Sequence, residues 1–202
     1  MNDDAPDLRT RNKQATRMAI GDAALRLAIE LGPNGLALVR VHDIATTAGV
    51  SPRTYNNYFS SREEAICSFQ ADRSRKVGQA LRSRPDDEPL DQAVIAAVIE
   101  LYTSPEPDKA GLRMIMSTPE LEGEALKAFT MAEGPLAEAI AARTGTDLGR
   151  DLFPAVMAAA VAGAIRVAGR RWLEPGNTAS FATTLRHALC CVLPAAPPSP
   201  VT

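Results

Sequence analysis

The stretch from Val41 to Phe59, VHDIATTAGVSPRTYNNYF, constrains this chain more than any other, because a short helical run meets a glycine and then a serine-proline pair. Glycine enters the left-handed backbone region at little cost, so Gly49, following a run from Val41 to about Ala48, predicts a helix stop. Ser51 is a favoured N-cap, and Pro52 suits the first helical position, where a missing backbone N–H loses nothing. Two short helices therefore meet at a tight turn. In the first, Ile44 and Ala45 point inward and Ala45 is small enough for a close crossing, while Val50 fills the crook behind Gly49.

In the second helix Tyr55 and Phe59 lie four apart and face the core together. Arg53, Thr54, Asn56 and Asn57 point the other way. This outward set has the chemistry of a base-reading face, since arginine bonds guanine bidentately, asparagine does so with adenine, and threonine offers a hydroxyl and a methyl group. Tyr58 suits a phosphate. A solvated polar face is the competing reading of the same side chains, and only their context favours the first.

The longer stretch DIATTAGVSPRTYNNYFSSREEAI resembles the signature of the TetR family of transcriptional regulators. It has a DIA-type helix, an AGVS turn, a recognition helix ending in an aromatic pair, and a basic residue before an acidic helix start. The resemblance implies that Arg53, Thr54, Asn56 and Asn57 contact bases or face the groove and that Tyr58 and Arg62 contact phosphates. His42 matches a supporting-helix position that reaches the groove in some members, and Arg40 and Ser51 complete the implied DNA-binding set. Two positions depart from the family pattern. Arg40 replaces a frequent capping threonine, exchanging a hydroxyl contact to phosphate for a charged one; Asn56 replaces a common aromatic, which points to a recognised sequence of its own.

Net charge at first argues against DNA, because the 202 residues sum to −2. Divided, the charge says otherwise: Leu8 to Arg62 holds eight Lys or Arg against three Asp or Glu, a local +5. A basic end on an otherwise acidic molecule is what phosphate attraction requires. Alanine and leucine are abundant and β-branched residues never alternate, so the pattern is helical nearly throughout and an all-α fold is expected. The longest apolar run, Leu152 to Ile165, falls short of the about 20 residues that span a bilayer, and MNDDAPDLR lacks signal-peptide character. A cytoplasmic protein without a membrane segment is the expectation.

Cys67, Cys190 and Cys191 have no metal-ligand spacing, and His42 and His187 are the only histidines. No metal site, cofactor or catalytic cluster is expected from such a set, which weighs against an enzyme. In the cytoplasm the thiols read as small reduced apolar residues, with a redox pair at Cys190 and Cys191 as the alternative.

Four regions are expected: a disordered arm over 1–10, a DNA-binding domain over 11–62, a ligand-binding and dimerisation domain over 63–193, and a disordered proline-rich tail over 194–202. Arg9, Arg11, Lys13 and Arg17 straddle the start of the first long helix, where Arg11 and Arg17 either follow a phosphate backbone or are solvated. Ile20, Ala24, Leu27 and Leu31 form one apolar stripe. The turn formers Gly32-Pro33-Asn34-Gly35 end that helix, and Leu36 and Leu38 should tuck the connection into the small core. Ser61 with Glu64 forms a capping box for a helix to about Arg82, a rigid element shared by two domains. Further helices are expected over Leu90–Ser104, Lys109–Ser117, Pro119–Arg143, Leu148–Leu173 and Thr178–Leu193, with Gly134-Pro135 kinking or splitting the third.

The small-residue run AVMAAAVAGAIRVAG and the stripe Phe181, Leu185, Leu189 and Val192 suit either an intramolecular core or an interface. Resemblance to a family that dimerises through its last two long helices selects the interface, with Ala159 and Gly163 in it. A two-fold axis would hold two recognition helices about 34 to 36 Å apart, or a multiple of that, matching palindromic half-sites. The family's C-terminal domain also implies an apolar chamber, for which Tyr102, Leu112, Met114, Met116, Phe129, Met131 and Trp172 are the candidate lining, the methionines adapting to varied shapes. RMIMSTPELEGEAL is similar to a segment of actinobacterial-type regulators, some of which sense fatty acyl thioesters. These readings converge on a homodimeric repressor that sits on a palindromic double-stranded DNA operator and is released by a small apolar effector. The alternative is a nucleoid-associated or interaction protein that binds DNA without an effector.

Overall fold

The structure is a computed structural model that describes residues 8–32 and 35–193. Among these residues there are ten helices and no strand. The first, α1 (Leu8–Glu30), already includes Leu8, Arg9 and Thr10, which were expected in the arm. Residues 1–7 and the proline-rich 194–202 lie outside the described residues. The buried face of α1 is Ile20, Ala23, Ala24 and Ala28, whereas Leu31 is 44% exposed, so the apolar stripe is rotated toward the alanines. Small side chains on that face let a neighbouring helix lie close.

Past the turn, the one-turn α2 (Gly35–Leu38) packs Leu36 against the core but leaves Leu38 exposed; Val39, immediately after it, is the buried anchor. The two short helices follow as α3 (Val41–Thr47) and α4 (Pro52–Asn56). Gly49 between them has φ +69°, a conformation that disfavours a side chain. Next comes α5 (Arg62–Arg82), capped by Ser61 Oγ, which accepts from Glu64 N at 3.0 Å. The return half of the expected box lands one residue earlier. Glu64 Oε2 accepts from both the amide and the hydroxyl of Ser60, at 2.9 and 2.7 Å.

The remaining helices are α6 (Leu90–Thr103), α7 (Lys109–Ser117), α8 (Pro119–Thr144), α9 (Phe153–Trp172) and α10 (Phe181–Cys190). Two apolar cores organise them. The smaller joins Ile20, Ile44, Tyr55, Phe59 and Ile66 to Ile115 of α7 and Leu121 and Ala125 of α8. The first turns of α5, through Ala65, Ile66 and Cys67, and parts of α7 and α8 therefore belong to it. The larger core packs α5, α6, α8, α9 and α10 around Tyr102, Ile140, Val161 and Leu185.

Helix α8 runs unbroken through Gly134 and Pro135. Opposite Pro135 stands Gly78 of α5, where an added Cβ would meet the Pro135 carbonyl oxygen at 2.5 Å, so the two longest-packed helices touch through backbone. By length and apolarity α9 qualifies as a bilayer span, which the run-length reading missed. In this fold it packs against α8 and α10, with 44% of its most apolar window buried, as a core helix does. Phe181, Leu185 and Leu189 are also buried in their own chain, with Phe181 packed on Trp172 at a ring separation of 5.1 Å. Three members of the expected interface stripe thus serve the intramolecular core, because α10 lies across α6 and α9.

Candidate DNA-reading surface and ligand chamber

The reading surface is assembled by caps. Ser51 Oγ accepts from Thr54 N at 3.0 Å and lies 2.9 Å from the Thr54 hydroxyl, so Ser51 and part of Thr54 shape the start of α4. Tyr55 is buried and its hydroxyl donates to the Ser61 carbonyl at 2.8 Å, tying α4 to the start of α5. Burial pushes the Tyr55 phenol up to about 12, and the nearby Glu63 and Glu64 add to the shift. With Tyr55 and Phe59 held inward at a ring separation of 5.8 Å, Arg53, Asn56 and Asn57 are exposed. His42 and Arg40 are exposed on and before α3; Arg40 occupies its N-cap position without a side-chain cap bond.

Tyr58 is half-buried at the edge of a groove that also takes in Arg9, Asn12, Lys13, Thr16, Thr54 and Asn57. The groove joins the first turns of α1 to α4. Arg17 lies elsewhere. Its Nη1 donates to the Tyr58 carbonyl at 3.0 Å, its guanidinium stacks 4.3 Å from the Phe59 ring centre, and it faces Glu64 at 3.9 Å and Asp72 at 3.8 Å. That is an internal clamp between α1, α4 and α5 rather than a free phosphate contact. Arg62 is partly committed as well, Nε to Glu63 Oε1 at 2.8 Å and Nη1 to the Val39 carbonyl at 3.0 Å. Burial opposes ionisation of Glu63, but the Arg62 hydrogen bond still holds its carboxyl below the ordinary value.

The second feature is a cavity of about 270 Å³ between α5, α7, α8 and α9. Leu112, Met116, Phe129, Ile165 and Phe181 make it apolar, and Gln70, Glu122 and Arg166 are its polar members. Of the expected lining, Leu112, Met116 and Phe129 meet here. Trp172 and Tyr102 instead lie in the larger core, Trp172 donating from Nε1 to the Ala179 carbonyl at 3.2 Å and Tyr102 bonded to the Ser74 hydroxyl at 2.8 Å. Tyr102 borders a crevice of about 20 Å³. Met114 packs on the smaller core, and Met131 is 62% exposed on α8. Both miss the chamber because they leave their helices on other faces.

Gln70, Ile165 and Arg166 were not expected there, although Gln70 carried a signal. Ile66, Gln70, Arg73 and Val77 follow one face of α5 at helical spacing, so two polar residues interrupt a buried stripe. Arg73 is itself buried and stacks 4.1 Å from Phe69, its guanidinium donating to the carbonyls of Tyr102 and Pro105 at 3.4 and 2.6 Å. Burial lowers its pKa.

Comparison with known proteins decides what this two-part arrangement is. Residues 88–196 match a family model described as the MftR C-terminal domain of the TetR class. The HTH-type transcriptional regulator TcmR of Streptomyces glaucescens is 32% identical over 184 residues, covering 86% of this chain and 80% of that protein. This chain belongs to the TetR family of transcriptional regulators.

Solved TetR-family structures share its fold. A Rhodococcus protein assigned to the family superposes with a TM-score of 0.58 at 21% identity, over 89% of this chain and 98% of that one. FadR of Thermus thermophilus, a TetR-family repressor solved with lauroyl-CoA, gives 0.52 at 21% identity, over 90% of this chain and all of that one. In TetR-family terms the chain is an N-terminal helix-turn-helix unit, with α3 and α4 as its two short helices, followed by a C-terminal helical domain.

Proposed function

We propose that this TetR-family protein is a cytoplasmic homodimeric repressor that leaves a palindromic operator when a small apolar molecule fills the chamber between α5, α7, α8 and α9. One observation carries the reading: α5 and α7 serve both the helix-turn-helix core and the chamber. Ile66 and Ile115 pack beneath the reading helices, while Gln70, Leu112 and Ile115 line the cavity. Filling the cavity acts on the same rigid elements that position α4. A ligand with higher affinity for a DNA-incompetent arrangement then shifts the population, and DNA reciprocally weakens the ligand.

The dimer assignment rests on α9. Val156 and Val167 are 60% and 58% exposed there, and Ala159 is exposed and Gly163 half-buried between them, an apolar face with small residues for close approach. Val192, half-buried after α10, borders the core. On the DNA, Arg53, Asn56 and Asn57 read base edges, Arg9, Lys13, Tyr58 and the free end of Arg62 hold phosphates, and Arg40 and His42 flank them.

Selection of bound fragments from a random duplex library tests this directly. The expected result is a palindromic motif that disappears when Arg53 and Asn56 are replaced by alanine, with Val156→Glu halving the mass in light scattering. Salt-sensitive binding without a motif would favour the nucleoid-associated reading instead.

A further inference from the structure

A second cavity lies in the seam where the DNA-binding unit meets the C-terminal domain. It measures about 230 Å³ and is walled by Leu25 of α1, Phe69 of α5, Leu112 and Ile115 of α7, and Pro105 of the loop before α7. Gly111 of α7 lines it too, and an added Cβ there would stand 3.3 Å from Ile29 Cδ1 and 3.4 Å from Leu25 Cδ1. Helix α7 therefore touches α1 beside the void, which is a gap in a close interface between the two units. A cavity of about 150 Å³ lined by Leu, Ile and Phe suffices for benzene, so this volume has room for a fused pair of rings.

The charges around the seam are lopsided. Four charged side chains border it, and Asp22, Glu106 and Asp108 stand against the single cation Arg73. Arg73 is already engaged, its guanidinium donating to the Tyr102 and Pro105 carbonyls at 3.4 and 2.6 Å and stacking 4.1 Å from the Phe69 ring centre. Glu106 Oε1 accepts from Phe181 N at 3.1 Å and Asp108 Oδ2 from Gly111 N at 2.6 Å, and among the described residues none of the three carboxylates forms an ion pair. All three are exposed, so they mark the solvent side of an otherwise apolar cavity. An occupant gains by burying rings against the wall, and a positive end gains from the carboxylates while staying partly hydrated.

We propose that the seam cavity is a second ligand site and takes a small apolar amine, its rings against Leu25, Phe69 and Ile115 and its ammonium toward Asp22, Glu106 and Asp108. Such an occupant touches α1, α5 and α7 at once and favours the placement of the DNA-binding unit that keeps the cavity open. The site stands whether or not the chamber binds an effector. Full-length protein is equilibrated by dialysis with 1-naphthylmethylamine, 1-naphthylmethanol and 1-naphthoate, which share their rings and end in a cation, a neutral group and an anion.

The expected order is amine, alcohol, acid, with the amine about tenfold ahead of the alcohol and the gap narrowing at high salt. Asp22→Asn combined with Glu106→Gln, which keeps an acceptor for Phe181 N, removes the preference and leaves alcohol binding in place. Leu25→Phe, which narrows the seam, weakens the amine, whereas Ile165→Phe, which narrows the chamber, does not. A preference for the alcohol or the acid, or an amine preference intact in the charge variant, overturns the assignment of an amine. Amine binding lost in Ile165→Phe but kept in Leu25→Phe moves the ligand to the chamber and overturns the seam site, as does failure of the amine to bind at all. If Leu25→Phe loses its cooperative melt, the charge variant, which alters exposed residues only, decides.

Discussion

The two ends of α5 are held by different forces. At its first turn the chain is fastened by directional bonds over short sequence distances: Ser51 to Thr54, Tyr55 to Ser61, Ser61 to Glu64. Further along, α5 is held by close packing against α8, with Gly78 on the Pro135 backbone and a cavity nearby. Directional bonds fix where side chains point, which suits the reading surface proposed at Arg53, Asn56 and Asn57. Packing around an unfilled volume leaves room for an occupant, which suits an adaptable site. The comparison teaches that one helix can be fastened in two ways, by directional bonds at one end and by close packing beside a cavity at the other.

The comparison can be broken most severely at Gly78. Gly78→Leu forces a side chain into the Pro135 backbone, and about 3 kcal/mol of stability should be lost in urea unfolding. A loss smaller than that of Ser61→Ala, which deletes the α5 N-cap, would refute packing as the main fastening of this region.

Next in size is Arg17→Ala, which removes a carbonyl bond, the Phe59 stack and two long ion contacts. About 2 kcal/mol should be lost, and the salt dependence of DNA binding should keep its slope. Arg9→Ala and Lys13→Ala should do the opposite, leaving the melting temperature unchanged and flattening the log–log slope by roughly 0.9 per lost phosphate contact. The same slope measured in both sets would erase the distinction between clamp and contact.

Tyr55→Phe deletes the bond to the Ser61 carbonyl and should lose about 1 kcal/mol near neutral pH. Its pH dependence sharpens the assignment. Because the folded protein holds the Tyr55 phenol at about 12, above its ordinary value, the tyrosine's contribution is complete below pH about 10 and disappears as pH rises through 12. Stability curves of wild type and variant should therefore converge in that window. Parallel curves up to pH 12 would show that Tyr55 titrates as if exposed.

The smallest effect is a thiol count. Cys190 and Cys191 are exposed, whereas Cys67 is buried beside the Leu121 carbonyl and burial pushes its thiol up to about 12. A thiol reagent should label the exposed pair in the native state and reach Cys67 only on unfolding. Three fast labels would mean that the α5–α8 seam opens readily.

Much of the DNA-reading end was legible before the fold was known. Gly49, Ser51, Pro52 and Ser61 state backbone conformation and capping through their own chemistry, so α3, α4 and the start of α5 fell where their residues placed them. Glu64 differed only in which serine it reached. Arg17 was not legible, because whether a cation meets phosphate or protein depends on Tyr58, Phe59 and Asp72 lying across another helix. The same holds for the chamber. Methionine content pointed to Met114 and Met131, yet one faces the smaller core and the other solvent, since helix phase and neighbour position set the lining.

By itself, then, the sequence determined an all-helical chain and a capped pair of short helices with a polar outer face, because these follow from local propensity and short spacing, while the regulator family entered as a resemblance carried by the motif on those helices. Tertiary structure alone decided that Phe181, Leu185 and Leu189 lie inside their own chain, that Arg17 is a clamp, and that Gln70 lines the chamber. Each of these depends on residues brought together from distant parts of the chain, and no local spacing encodes which of them meet.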